Sequence, residues 1–147
     1  MRVVVQRSGA AQVVVGTDLV GQIQRGLVCL VGIAPSDGSA QLRWMADKIV
    51  NLRIFEDEQG KMNRSLLQEE GQILVISQFT LYGDCRKGRR PSYNGAARPE
   101  HAEPLINSFC GLLESYGVTV ETGRFGAEMA VSLTNQGPVT LVIDSKD

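Results

Sequence analysis

Leu27-Val28-Cys29-Leu30-Val31 is apolar at every position, and this run limits the fold more than any other stretch of the chain. A strand that leaves one face in water alternates apolar with polar residues, whereas a run without alternation needs cover on both faces. The chain must therefore place material on each side of a central sheet. Ile73-Leu74-Val75-Ile76 repeats the pattern. It predicts a second buried strand, running on into Ser77-Gln78-Phe79-Thr80-Leu81.

Around these two strands the sequence supplies more β-structure and two helices. Val3-Val4-Val5 and Val13-Val14-Val15 are β-branched runs, and Gly16-Thr17-Asp18 offers a turn into Leu19-Val20. Pro35 to Ser39 breaks the pattern and provides helix caps. Leu42, Met45, Ala46, Ile49 and Val50 then recur at the spacing of one helical face, predicting a helix over 40–52. Ile54-Phe55 reads as a short strand that turns at Asp57 to Gly60. After a long loop from Tyr82 to Arg98, a second helix carries Ala102, Leu105, Ile106, Phe109, Leu113 and Tyr116 on one face, with Gly117 at its C-terminal stop. Pro104 either starts that helix at N1 or kinks it. Residues 118–120, 129–133 and 139–143 complete the strands. One α+β domain follows over 1–147, mostly β with two helices, its curved sheets packed as a barrel or sandwich.

Composition removes several classes of function. The 147 residues carry a net charge of −1, so affinity for nucleic acid would have to come from a local patch. Cys29, Cys85 and Cys110 are widely spaced, no CxxC occurs, and His101 is the lone histidine. A disulfide framework and a thiolate or histidine metal centre are both disfavoured, so neither metal nor cofactor is expected. A reducing, cytoplasmic setting is the natural reading of that cysteine usage. The N-terminal apolar stretch is too short for a signal-peptide core, and no run approaches a membrane span.

Three stretches could carry chemistry. The loop 86–98 holds Arg86, Lys87, Arg89, Arg90 and Arg98, a third of the chain's 15 cationic side chains, and no acid. It suits phosphate contact, although a solvated loop would look the same. Ser77, Gln78 and Thr80 leave a buried strand as polar side chains and need partners, which neighbouring backbone or a substrate could supply. Gly137-Pro138 combines a bare Cα with the residue that most readily adopts a cis bond, so another molecule could approach closely. Asn135-Gln136-Gly137-Pro138 would equally make an ordinary hairpin turn. Cys85 beside Arg86 and Lys87 has no histidine partner in sequence, and His101 near a helix start reads as surface or cap.

Taken together, Ser77-Gln78-Phe79-Thr80-Leu81-Tyr82-Gly83 and Asn135-Gln136-Gly137-Pro138-Val139-Thr140 resemble the two signature stretches of the D-aminoacyl-tRNA deacylases. Arg53-Ile54-Phe55, Gly60-Lys61-Met62-Asn63, Gly88 to Ser92 and Phe125 to Met129 are also similar to that family, so the resemblance spans essentially the whole chain. One stretch departs from it: Gln6-Arg7 is followed by Ser8-Gly9-Ala10-Ala11-Gln12, which leaves the geometry after Arg7 open.

The resemblance implies a homodimer of barrel-like subunits that hydrolyses the ester of D-aminoacyl-tRNA, and it leaves open whether glycyl-tRNA is cleared as well. It implies that a cis Gly137-Pro138 loop enters the partner's site and rejects L-amino acids, with Arg7 and Met129 also at the substrate. It places Ser77, Gln78, Phe79 and Thr80 at the reaction centre, and Arg86, Lys87, Arg89 and Arg90 on the tRNA. Either Thr80 attacks, or the terminal ribose 2′-hydroxyl activates water while Phe79 and its neighbours position adenosine. No base adjoins Thr80 in sequence, which favours the second route, with backbone N–H groups around Ser77 to Thr80 holding the oxyanion. A non-catalytic RNA-binding dimer and a thiol hydrolase using Cys85 are the alternatives.

Overall fold

The computed structural model describes residues 1–145. Its elements are β1 (Arg2–Val15), β2 (Asp18–Ile23), β3 (Gly26–Gly32), α1 (Ser39–Asn51), β4 (Phe55–Glu56), β5 (Met62–Arg64), α2 (Leu66–Glu69), β6 (Gln72–Ser77), α3 (Pro99–Ser115), β7 (Thr119–Thr122) and β8 (Ala130–Asp144), with a 3₁₀ turn at Phe79–Tyr82. The main sheet runs β2-β1-β3-β6-β7, and β8 pairs with the other side of β1. β1 is antiparallel to β2, β3 and β8, while β3–β6 and β6–β7 are parallel.

The sheet curls until β2 meets β7. The Gln22 N–H donates to Glu121 Oε1 at 3.3 Å, and Gly21 lies so close to the Thr122 carbonyl that any Cβ would collide with it. The result is a nearly closed barrel, mostly β with three helices. Both all-apolar strands are covered on two sides, as their lack of alternation requires. Leu27, Cys29, Val31, Ile73 and Val75 face a core roofed by α1 and α3, where Met45, Ile49, Phe109 and Leu113 are fully buried. Val28, Leu74 and Ile76 face inward with Ala11, Val13 and Ile23. Burying each such large side chain contributes about 1.5–3 kcal/mol.

Several expectations need correction. Val3–Val5 and Val13–Val15 belong to one continuous strand, because β8 backs β1 along its length while β3 and β2 share its opposite edge. The strand also runs unbroken through Ser8 to Gln12, which settles the geometry after Arg7. A third helix, the single turn α2, adds to the two expected, and Ser65 and Gln68 carry its signature. Ser65 Oγ accepts from the Gln68 N–H at 3.2 Å, and Gln68 Oε1 accepts from the Ser65 N–H at 2.9 Å.

The cap of α1 is Gly38, whose N–H donates to Gln41 Oε1. Asp37 is occupied elsewhere, accepting from the Met1 amino group at 2.6 Å and the Ala34 N–H at 2.6 Å. Pro99 rather than Pro104 opens α3. Pro104 lies inside α3 and cannot donate to the Glu100 carbonyl four residues before it. Gly117 follows the helix at φ +85°, the stop that its position in the sequence predicts.

Candidate active site

The buried strand β6 stops at Ser77 and the chain folds at once into the 3₁₀ turn, instead of extending to Leu81 as expected. The Gln78 N–H donates to the Val31 carbonyl at 2.7 Å, tying the turn to the end of β3, and the Leu81 N–H donates to the Gln78 carbonyl at 3.2 Å. Arg2 braces the other end, donating to the Leu81 carbonyl at 3.0 Å with its guanidinium 5.2 Å from the Tyr82 ring centre. Burial and the nearby charge of Asp37 push the Tyr82 phenol up to about 12, so it stays protonated.

Ser77 and Gln78 are half-buried, whereas Phe79 and Thr80 are exposed. The Gln78 amide donates to Thr80 Oγ1. Ser77 Oγ has no protein partner among the described residues. The N–H groups of Phe79 and Thr80 precede the first bond of the turn and likewise lack an acceptor among the described residues, as the start of any helix demands.

A cavity of about 530 Å³ opens beside this turn. Ser77, Gln78 and Phe79 form one wall, Arg98, Pro99 and Ala102 at the start of α3 a second, and Phe125, Ala127 and Met129 a third. Ile76, Ile106 and Val131 make its floor apolar. The Ala97 N–H donates to the Ile33 carbonyl at 2.8 Å and fastens the rim to the sheet. Met129 can enter because Gly123 opposite has no side chain; a Cβ there would collide with the Met129 sulfur. Such a cleft, mainly apolar with a few convergent polar groups, is the usual form of a small-molecule site.

Gly137 and Pro138 lie elsewhere. They do not join two strands as a hairpin turn; β8 is continuous and they form a bulge within it. β8 advances from Asn135 to Thr140 while β1 advances only from Ser8 to Gln6, so the excess chain is pushed out of the ladder. Asn135 holds the neck of the bulge, accepting from the Val139 N–H at 2.7 Å and donating to Thr140 Oγ1 at 2.7 Å.

Arg7 fixes the base, donating to the carbonyls of Gln136 at 2.9 Å and Ile54 at 2.8 Å. The Gly137–Pro138 bond is cis, and Gly137 sits at φ +134°. A Cβ at Gly137 would lie 2.8 Å from Val139 Cγ2 and 3.0 Å from Arg7 Nη2. Within one chain, then, Met129 joins Ser77, Gln78 and Phe79 at the cleft, with Thr80 bonded to Gln78 beside it. Arg7 and Gly137 line a separate hollow with Gln136, and Pro138 follows Gly137 in the bulge.

The cationic loop is built as a finger. Asp84 and Ser92 exchange both backbone hydrogen bonds, at 2.7 and 2.9 Å, and Gly88 turns the tip at φ +65°. Arg86 folds back on Asp84 with Nε–Oδ1 at 2.9 Å and Nη2–Oδ2 at 2.8 Å, which holds the Asp84 carboxyl below its ordinary range. Lys87, Arg89 and Arg90 are exposed and have no carboxylate partner among the described residues.

The histidine and the cysteines stand apart from this chemistry. His101 Nε2 lies 2.9 Å from the Asp37 carbonyl, and exposed Cys85 has no hydrogen-bonded base beside it among the described residues. Burial pushes the Cys29 thiol up to about 12 and Cys110 up to about 11, so both are inert as nucleophiles at neutral pH. Among the described residues, no cluster of three His, Cys, Asp or Glu side chains is placed to hold a metal, and no helix is long and apolar enough to cross a membrane. Among the cleft residues, Arg98 stands in the cationic loop and Phe125 and Ala127 in a family-like stretch, but nothing in the sequence joins them or Tyr93 to Ser77 as one site. Their types read as loop or core, and only folding brings them to one rim.

The family model described as D-Tyr-tRNA(Tyr) deacylase matches residues 4–144. A D-aminoacyl-tRNA deacylase of Brevibacillus brevis is 61% identical over 145 residues, covering 99% of this chain and 100% of that protein. One from Thermus aquaticus is 57% identical, covering 100% of this chain and 97% of its own. A solved structure titled c-Myc DNA Unwinding Element Binding Protein superposes with a TM-score of 0.93 at 40% identity, both chains covered in full. A probable eukaryotic D-amino acid tRNA deacylase shares the fold at a TM-score of 0.82 and 20% identity, with 97% of each chain covered.

Proposed function

Because the chain belongs to the D-Tyr-tRNA(Tyr) deacylase family, we propose that it hydrolyses the ester of D-aminoacyl-tRNA to free D-amino acid and tRNA. The observation that carries this reading is the cleft at the end of β6. It sets the unbonded N–H groups of Phe79 and Thr80 beside an apolar cavity large enough for a nucleoside with its aminoacyl group. Ester hydrolysis passes through a tetrahedral oxyanion, and fixed backbone donors are the usual means of stabilising one.

The attacking water is activated by the terminal ribose 2′-hydroxyl in this scheme, and Thr80 orients substrate. Support comes from the surroundings of Thr80, whose hydroxyl meets the Gln78 amide and no titratable base among the described residues. A threonine nucleophile needs a base to take its proton. The Gln78 N–H is already committed to Val31, which leaves Phe79 and Thr80 as the oxyanion donors.

Chiral selection is assigned to the Gly137-Pro138 bulge of a second copy. β8 has no fully buried residue along its length, its outer edge is unpaired among the described strands, and Val142 is 64% exposed. An open edge of that length calls for cover. A homodimer would supply it and carry the bulge to a neighbour's cleft. There a bare glycine backbone could hold the α-amino group while leaving no room for an L side chain. Lys87, Arg89 and Arg90 would contact tRNA phosphates, and Arg7 would act by bracing the bulge.

Rates on matched D- and L-tyrosyl-tRNA test the reading. Rapid hydrolysis of the D ester alone is expected, from a species that sediments as a dimer. Tight tRNA binding without turnover would favour the non-catalytic alternative.

A further inference from the structure

Phe79 and Tyr93 stand at the mouth of the cleft, 56% and 41% exposed, with ring centres 5.1 Å apart and planes at 71°. The 3₁₀ turn fixes Phe79. Tyr93 directly follows the Asp84–Ser92 bridge, and its carbonyl accepts from the Ala96 N–H at 3.0 Å. Gly83 gives the ring room, because a Cβ there would lie 3.1 Å from the Tyr93 ring and press it aside. Two large aromatic side chains are thus held in a defined pose with ring surface open to solvent. They sit at the base of a finger carrying Lys87, Arg89 and Arg90. Aromatic faces beside a run of unpaired cations are what single-stranded nucleic acid binds, one stacking its bases and the other tracking its phosphates.

We propose that the Tyr93 ring, braced at 71° by Phe79, forms a stacking platform for a second unpaired nucleobase, the one that precedes the terminal adenosine in the cleft. The proposal rests on the deacylase reading and extends the binding site by one nucleotide. A chain leaving the cavity past Phe79 meets Tyr93 before it reaches the finger, so base and phosphate contacts follow in the order of the strand. Stacking accepts any base, and the subsite should show little preference among them. The cations favour an anionic partner over an apolar protein surface as the occupant.

The test compares D-tyrosyl esters of adenosine and of the dinucleotide cytidylyl-adenosine as substrates for wild type, Tyr93→Ala and Tyr93→Phe. Tyr93→Ala should lower kcat/KM on the dinucleotide by about fivefold to a hundredfold more than on the mononucleoside, the range that one stacked base supplies. The loss should fall in KM rather than kcat, and Tyr93→Phe should restore it, since the phenyl face suffices. Equal losses on both substrates, or a Tyr93→Phe enzyme as impaired as Tyr93→Ala, would overturn the platform. So would a loss traced by sedimentation to a weakened dimer, which would give the pair to the subunit contact instead. If wild type hydrolyses neither D ester, the deacylase reading itself fails and the subsite with it.

Discussion

The turn at Phe79–Tyr82 and the bulge at Gly137–Pro138 are both places where a strand is interrupted, yet they differ in what surrounds them. The turn ends a strand buried on two faces, and the start of α3 and the stretch from Phe125 to Met129 close around it into a cavity. The bulge leaves a strand with no fully buried residue, and its tip is exposed. Polar groups at the turn are arranged around an interior space, while those at the bulge are spent holding the bulge itself, through Asn135 and Arg7. One chain therefore contains a cleft suited to chemistry and, outside its lining, a projecting backbone held in place by Asn135 and Arg7. The division of labour proposed above, hydrolysis by one copy and chiral rejection by the other, follows from that contrast.

The sharpest way to break the comparison is at the turn. A D-aminoacyl-tRNA ending in 2′-deoxyadenosine should be hydrolysed about 10²–10⁴-fold more slowly, the range for losing a general acid–base group. Thr80→Ala should stay within about tenfold of wild type in single-turnover assays, because a group that only orients is worth about one hydrogen bond to substrate. Full activity on the deoxy substrate with a dead Thr80→Ala enzyme would make Thr80 the nucleophile.

At the bulge, Gly137→Ala should cost less but change selectivity. An alanine there must accept φ +134° and crowd both Val139 and Arg7, a strain of about 1–3 kcal/mol. If the bulge distorts to relieve it, D-ester hydrolysis should fall about tenfold to a hundredfold and rejection of the L ester should weaken, with tRNA affinity little altered. A Gly137→Ala enzyme as fast and as D-selective as wild type would remove the bulge from chiral selection.

The smallest effect is expected on the finger, which belongs to neither region. Arg89→Ala/Arg90→Ala should weaken tRNA binding and reduce the slope of log affinity against log salt by about 0.7 per lost contact on a single strand, or about 0.9 on a duplex. Arg86→Ala should change the slope less, since Asp84 already neutralises part of its charge. An unchanged slope for the double variant would leave the finger as solvated surface.

Much of this was legible in the residues. Unalternating runs at 27–31 and 73–76 required cover on two faces, and helical spacing placed α1 and most of α3, because burial of apolar side chains enforces periodicity directly. The motif around Ser77 to Thr80 falls where β6 ends and the cleft opens. The 3₁₀ turn was not legible, since Phe79, Leu81 and Tyr82 look like the continuation of a strand. It arises where the Val31 carbonyl captures the Gln78 N–H at the sheet's end. The cleft's other walls were hidden for a similar reason: Phe125, Ala127 and Ala102 are apolar, and their place opposite Ser77 comes only when the barrel and α3 form.

Residue order alone carries the two-sided burial of the central strands, the apolar face of each long helix and the stretches able to carry chemistry. Periodicity and residue chemistry are local properties, and a single chain carries them openly. The tertiary structure makes Asn135 to Thr140 a bulge and not a hairpin. A turn-forming sequence becomes a bulge when the strands on either side both pair with the same neighbour, and β1 is long enough to hold both halves of β8. It decided, too, that Arg7 braces backbone, Arg86 is already paired and Tyr93 meets Phe79. Each of these depends on residues far apart in the chain reaching hydrogen-bonding or van der Waals range, which spacing along the sequence does not encode.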